Sequence, residues 1–262
     1  MMTDGAKAGT GSPSSAARLA LMTTGPIAIA IGSWIYLGIM IADMSAIPGM
    51  SAMMMNPAML DPLQLFGLFL MWAIMMAAMM LPTAAPMIIA YTRMQMVDRN
   101  NGAGWLPVFM FSGGYVVAWA GFSLVAAVMQ AGLTEFSAMS PMMMKVAAGP
   151  IAGTIVIITG IYQFTPLKQT CLRQCQSPIS FLMTRWKNGS MGGLKMGLSH
   201  GLFCVGCCWA LMGLLFVTGI MNTGWIIAIT AYVLIEKIVP SPQHLSKPIG
   251  AVLIAVGLWM VF

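Results

Sequence analysis

Hydrophobic residues run along this chain in long blocks, broken by short stretches rich in polar residues, Gly or Pro. The blocks are longer than the one-sided apolar stripe of a surface helix and match bilayer-crossing helices of about 20 residues. Seven such segments are predicted, at roughly 19–42, 63–90, 105–132, 146–165, 191–221, 224–240 and 248–262. The last is short for a span, which leaves six as the fallback count. The expected fold class is all-α, a polytopic transmembrane helical bundle. Residues 19–262 form its single domain, with a cysteine-containing cytoplasmic loop at 166–190. Residues 1–18 are rich in Gly, Ser and Ala and are expected to be a disordered cytoplasmic N-terminus. They lack the short apolar core and cleavage site of a secretory signal, so no cleavage is expected.

Composition agrees with this pattern. The chain is 59% hydrophobic and only 7% charged, with a mean hydropathy of +0.87. A soluble domain carries about 25% charged residues, so no segment is a candidate for a separate soluble domain. The net charge of +6 contains no basic run and is no nucleic-acid signal. It reports orientation instead. With the N-terminus inside, Lys7, Arg18, Arg93, Arg99, Lys168, Arg173, Arg185, Lys187, Lys195, Lys237 and Lys247 fall on the inner side, and only Lys145 falls outside. That asymmetry predicts N-in and C-out in a bacterial cytoplasmic (inner) membrane, with the lipid bilayer as the first partner.

Methionine stands out, at 30 of 262 residues. In the second segment Met71, Met75 and Met79 stack at i, i+4, i+8, flanked by Met76 and Met80. Packing alone explains such a stripe, since Met fills irregular gaps between helices. Thioethers are also soft ligands that select Cu(I). Pro82 and Pro86 lie in the same segment and should free carbonyls that a neighbour or a cavity must satisfy. The first outer loop carries Met50, Met53, Met54 and Met55, and the second carries Met142, Met143 and Met144. Metal capture and packing against a partner account equally well for these outer methionines. The third segment, with Gly113, Gly114, Gly121, Tyr115 and Trp119, offers close helix approach and no chemistry.

The fifth segment holds the sharpest signal. His200, Cys204, Cys207 and Cys208 fall at about 0°, 40°, −20° and 80° around a helix, one face, and Met196 extends the stripe at about −40°. Imidazole nitrogen and soft sulfur in one arc suit Cu(I) first and zinc second. Cysteine also packs well as a small hydrophobe. Cys207 and Cys208 are adjacent and point about 100° apart, so the two are not expected to share an ion without a neighbouring helix. Upstream, Cys171 and Cys175 are spaced i, i+4 in a basic inner loop that suits an amphipathic surface segment, and cytoplasmic conditions favour free thiols there. They are expected to form an exit point or a second site. The second and fifth segments are expected to be neighbours, with Met75 or Met79 facing the His200/Cys204 stripe. Glu236 and Lys237 are expected to snorkel to the inner surface, or Glu236 to pair with Lys237 or Lys195. His244 sits in a loop and is expected to be solvated, which excludes paired histidine ligation of haem within the spans. No nucleotide-binding loop and no carboxylate or nucleophile–base pair marks the chain as a pump or an enzyme.

Together Trp72–Pro82, Gly160–Leu172, Cys175, Met196–Met221 and the pair Glu236–Lys237 carry a resemblance. The chain resembles a bacterial family of uncharacterised integral membrane proteins catalogued as predicted metal-binding membrane proteins. The resemblance covers about two-thirds of the sequence and implies metal binding, without a reaction. The expected function is Cu(I) handling, by capture, transfer or delivery, with a copper chaperone or a membrane metalloenzyme as partner. The competing expectation is a structural or assembly subunit of a larger membrane complex.

Overall fold

The computed structural model describes residues 15–42, 62–97, 105–135, 139–140, 145–146, 149–220, 222–241 and 243–262. Its elements are helices α1 (Ser15–Ala42), α2 (Pro62–Val97) and α3 (Trp105–Glu135), the short strands β1 (Met139–Ser140) and β2 (Lys145–Val146), and helices α4 (Gly149–Tyr162), α5 (Pro166–Gln176), α6 (Pro178–Arg185), α7 (Gly189–Gly213), α8 (Leu215–Thr218), α9 (Thr223–Ile238) and α10 (Gln243–Val261). The strands form a two-residue antiparallel ladder, and the architecture is all-helical around it.

Among the described residues four helical segments are long and apolar enough to cross a membrane: Pro62–Val97, Trp105–Glu135, Gly189–Thr218 and Gln243–Val261. A fifth arises if α4 and α5, bent by 64° at their junction, form one broken span. The segment expected at 224–240 folds as α9, whose 16 residues fall short of a bilayer crossing. The short final segment instead begins earlier, at Gln243, and gains the necessary length. The outer methionines Met50, Met53, Met54, Met55, Met142, Met143 and Met144 lie outside the described residues, as does most of the N-terminal stretch expected to be disordered.

Helix α2 runs through Pro82 and Pro86, and a neighbour fills the gap left at Pro82. Pro82 has no N–H to give the Ala78 carbonyl one turn back. The Trp34 indole of α1 takes its place, donating from Nε1 to the Ala78 oxygen at 2.8 Å. This contact helps hold α1 on α2.

The core is set by close approach of α3 and α7. Gly193, Gly197 and Gly201 recur every fourth residue on one face of α7. A Cβ on Gly193 would lie 2.5 Å from the Pro107 carbonyl oxygen, and one on Gly197 only 1.9 Å from that of Phe111. Gly114 answers from α3, where a Cβ would stand 2.3 Å from the Leu194 carbonyl oxygen. Glycines let the two backbones touch, as small residues do between membrane helices. The same device joins α4 to α10, through Gly153 and Gly160 against Gly257 and Gly250. Helix α2 packs on α1, α3 and α9, while α5 packs on α7. The expected face-to-face pairing of α2 with α7 is not an extensive interface. Both helices lie on α3, and they meet through side chains from α3 and α9.

Candidate metal centre

Helix α7 runs unbroken from Gly189 to Gly213, so the predicted stripe exists, and Met196, His200, Cys204, Cys207 and Cys208 are all buried on it. The sulfurs of Cys204, Cys207 and Cys208 lie within 4.8 Å of one another. The convergence of Cys207 with Cys208 differs from the splayed arrangement expected of adjacent residues. Its cause is local. The Cys207 and Cys208 thiols both donate to the Cys204 carbonyl one turn back, at 3.1 and 3.0 Å. Side chains on a helix lean toward its N-terminus, which makes this shared acceptor reachable.

The inner-loop cysteines join this group. Helix α5 is capped at its start by Thr165, whose side chain accepts from the Lys168 N–H, and Pro166 sits in its first turn. The bend at Gln163–Thr165 turns α5 onto α7 instead of leaving it on the surface. Cys171 and Cys175 are consequently buried. The Cys171 sulfur lies against Gly206, where an added Cβ would be 2.8 Å away. Cys175 belongs to the same buried core cluster as Cys204 and Cys207. All five cysteines of the chain are free, buried thiols gathered at the α5–α7 contact.

Charge enters the site from α9. The Lys237 ammonium donates to the Cys204 sulfur at 3.2 Å and to Thr83 Oγ1 at 2.7 Å. The Tyr115 hydroxyl of α3 lies 3.1 Å from the same sulfur and donates to the Met80 carbonyl at 3.0 Å. Cys204 therefore sits under a buried cation, an arrangement that suits a sulfur carrying negative charge. Its neighbour Glu236 points the other way. It pairs with Lys168 of α5, whose ammonium stands 2.7 and 2.8 Å from the two carboxylate oxygens and also donates to Gln163 Oε1. Tyr232 and Ser246 donate to the same carboxylate at 2.8 and 2.6 Å. Lys168 and Glu236 are 0% and 2% exposed, so this is an ion pair with no solvent to weaken it.

Glu236 thus pairs with neither Lys237 nor Lys195, and Lys237 does not reach for the surface. The signal for this was present in the sequence. Ile226, Ile229, Val233 and the Glu236–Lys237 pair recur with helical period, which places both charges on the buried face of α9. Lys168, Cys171, Leu172 and Cys175 do the same on α5. Tyr115 carried no such sign, since an aromatic residue in a glycine-rich span reads as packing.

His200 lies one turn from Cys204 in an aromatic cage. Its ring stacks on Tyr115 and Phe111, with centroids 5.7 and 6.2 Å away, and meets the Phe181 edge at 5.4 Å. Its Nδ1 is buried without a hydrogen-bond partner. It stands apart from the three-sulfur group. Met75 and Met79 are fully buried in the core cluster that also contains the cysteines.

A trigonal ion with bonds of about 2.3 Å to three sulfurs holds those sulfurs about 4.0 Å apart. The Cys204, Cys207 and Cys208 spacing accommodates that, and soft sulfur selects copper or zinc over hard cations. Residues 69–260 match the profile of the family PpoB2, described as a copper chaperone. The chain belongs to that family. The PpoB2 match takes in α2 to α10 almost whole, including every cysteine, Lys168, Glu236 and Lys237. It agrees with the metal-related family that the sequence resembles, while its description speaks of copper and not of a membrane. No curated protein and no solved structure matches the chain significantly. Membership of the copper chaperone family and the buried cysteine cluster together support copper binding.

Proposed function

We propose that this chain is a multi-pass protein of the bacterial cytoplasmic membrane that binds Cu(I) as cargo and delivers it to a partner protein. The observation that carries this reading is the convergence of Cys204, Cys207 and Cys208 within 4.8 Å, with Lys237 at 3.2 Å from the Cys204 sulfur. Sulfur-only coordination at low ligand number suits Cu(I), and a buried lysine offsets the excess thiolate charge that a monovalent ion leaves. Each thiol that becomes a ligand releases its proton, so binding is coupled to proton release and involves no change of oxidation state. Cys175 and Cys171, on the facing helix, give the ion a neighbouring set of sulfurs to move to. His200, with its unpartnered Nδ1, and Met196 mark the approach to the cluster along α7. The chain acts as a binding and transfer protein and catalyses no reaction of its own. Its N-terminus lies in the cytoplasm and the chain crosses the membrane seven times, with α4–α5 as a broken span and the 16-residue α9 as a short one completed by its flanking residues.

The test is metal content. Full-length protein purified in detergent under reductant and loaded with Cu(I) should hold copper in preference to zinc. Cys204→Ser and Cys207→Ser should each lower copper per chain, and Cys171→Ser should lower it less. If the first two leave copper unchanged while Cys171→Ser abolishes it, the ion sits on α5 and the α7 cluster is not the site.

A further inference from the structure

Away from the cysteines, the turn between α6 and α7 builds a second polar feature. A cavity of about 260 Å³ is lined by Thr184, Arg185, Trp186, Lys187, Lys195 and Ser199, with Met196 at its base. Three of its lining residues are cations and none is acidic. Among the described residues no carboxylate pairs with any of the three, because the ion pair there joins Lys168 to Glu236. The geometry is fixed rather than incidental. The Lys187 backbone N–H donates to the Met196 sulfur at 3.3 Å, which folds the turn back along α7 and brings Lys187 beside Lys195. Trp186 closes one side, its ring 5.6 Å from that of Tyr91. Arg185 donates to Ser199 Oγ at 3.1 Å and lies over the Phe203 ring at 4.8 Å, so its guanidinium is held in place.

The two helices that frame this cavity also expose apolar side chains. Ile179 and Met183 on α6 are 66% and 70% exposed, and Met191 on α7 is 62% exposed. A cationic pocket with hydroxyl donors, on helices that also expose aliphatic side chains, suits a phospholipid: phosphate in the pocket, acyl chains against the apolar side chains. Basic pockets at the cytoplasmic ends of membrane helices recognise anionic headgroups in this way. A soluble anion would use the cations and leave Ile179, Met183 and Met191 in water.

We propose that the cavity between the α6–α7 turn and the first turns of α7 binds the phosphate of an anionic phospholipid headgroup, held by Arg185, Lys187 and Lys195. The inference rests on the membrane reading given above and is independent of copper. Bound there, the lipid fastens α6 and the start of α7 to the inner leaflet, with Lys195 five residues before His200.

Native mass spectrometry of the detergent-purified full chain tests it, with phosphatidylglycerol and phosphatidylcholine of identical acyl chains as probes. Phosphatidylglycerol should be retained at least about tenfold better than phosphatidylcholine. Lys187→Ala with Lys195→Ala should remove that preference, and Lys187→Arg with Lys195→Arg should keep it. Excess inorganic phosphate should not displace the lipid. Equal retention of the two lipids, an unchanged preference in the alanine variant, or displacement by inorganic phosphate would each overturn the proposal. The alanine variant should still load copper to the wild-type level, which checks its fold. Reconstitution separates the two readings: a chain that fails to enter liposomes refutes both, and one that enters them without headgroup preference refutes the lipid site alone.

Discussion

Lys237 donates a hydrogen bond to the Cys204 sulfur at 3.2 Å from a helix that begins ten residues after that cysteine's own helix has ended, a sequence separation of 33. Both members are buried, with Cys204 0% and Lys237 8% exposed. Replacing Lys237 by Met keeps the bulk and removes the charge. A hydrogen bond to a charged group contributes about 1.5–3 kcal/mol, so Cu(I) affinity should fall by roughly tenfold to a hundredfold. Competition against a Cu(I) chelator under reductant measures it. An affinity equal to wild type would show that Lys237 has no part in holding the ion.

The Lys168–Glu236 pair should behave as a structural tether between α5 and α9. Removing one member leaves a buried charge without its partner and costs about 3–5 kcal/mol. Lys168→Met or Glu236→Leu alone should therefore lower the thermal unfolding midpoint in detergent by several degrees. The double replacement should recover part of the loss, because it buries no unpaired charge. Equal destabilisation by the double and the single variants would mean that the pair does not act as a unit.

Gly197→Ala should be among the most damaging single-methyl additions in the chain. Its Cβ would stand 1.9 Å from the Phe111 carbonyl oxygen, and a backbone atom cannot rotate away. Overpacking of this kind costs about 1–3 kcal/mol or more, and it would force α7 off α3 and Cys204 away from Tyr115. Gly113→Ala is the control, since nothing lies within 4 Å of its added Cβ. The control should fold and load copper normally, while Gly197→Ala should lose both yield and copper.

Topology gives the fourth expectation. A reporter active only in the cytoplasm, fused after Phe262, should be silent if the chain crosses seven times from an inner N-terminus. Activity at that position would reduce the count to six and place α10 on the inner side.

Much of this molecule is written locally. Block hydrophobicity determined that the chain is helical and apolar enough for a membrane, because a backbone in lipid must satisfy its hydrogen bonds within each helix. The period of 3.6 determined that His200, Cys204, Cys207 and Cys208 share a face, since that depends on one helix alone. The Pro82 gap in α2 was legible too, though not that Trp34 fills it.

What the tertiary structure decided is which faces meet. The Lys168–Glu236 pair, formed across 68 residues, ties α5 to α9, and the bend after α4 packs α5, with Cys171 and Cys175, onto α7. Sequence spacing placed those two cysteines in a separate loop because it carries no information about a bend at a helix junction. Lys237 lies on the buried face of α9 by period alone, but its partners are set only when α9 packs on α2 and α7, where Thr83 and Cys204 receive its ammonium. Even the meeting of Cys207 with Cys208 is set by rotamers that share the Cys204 carbonyl, a choice that the helical angle of each Cα leaves open.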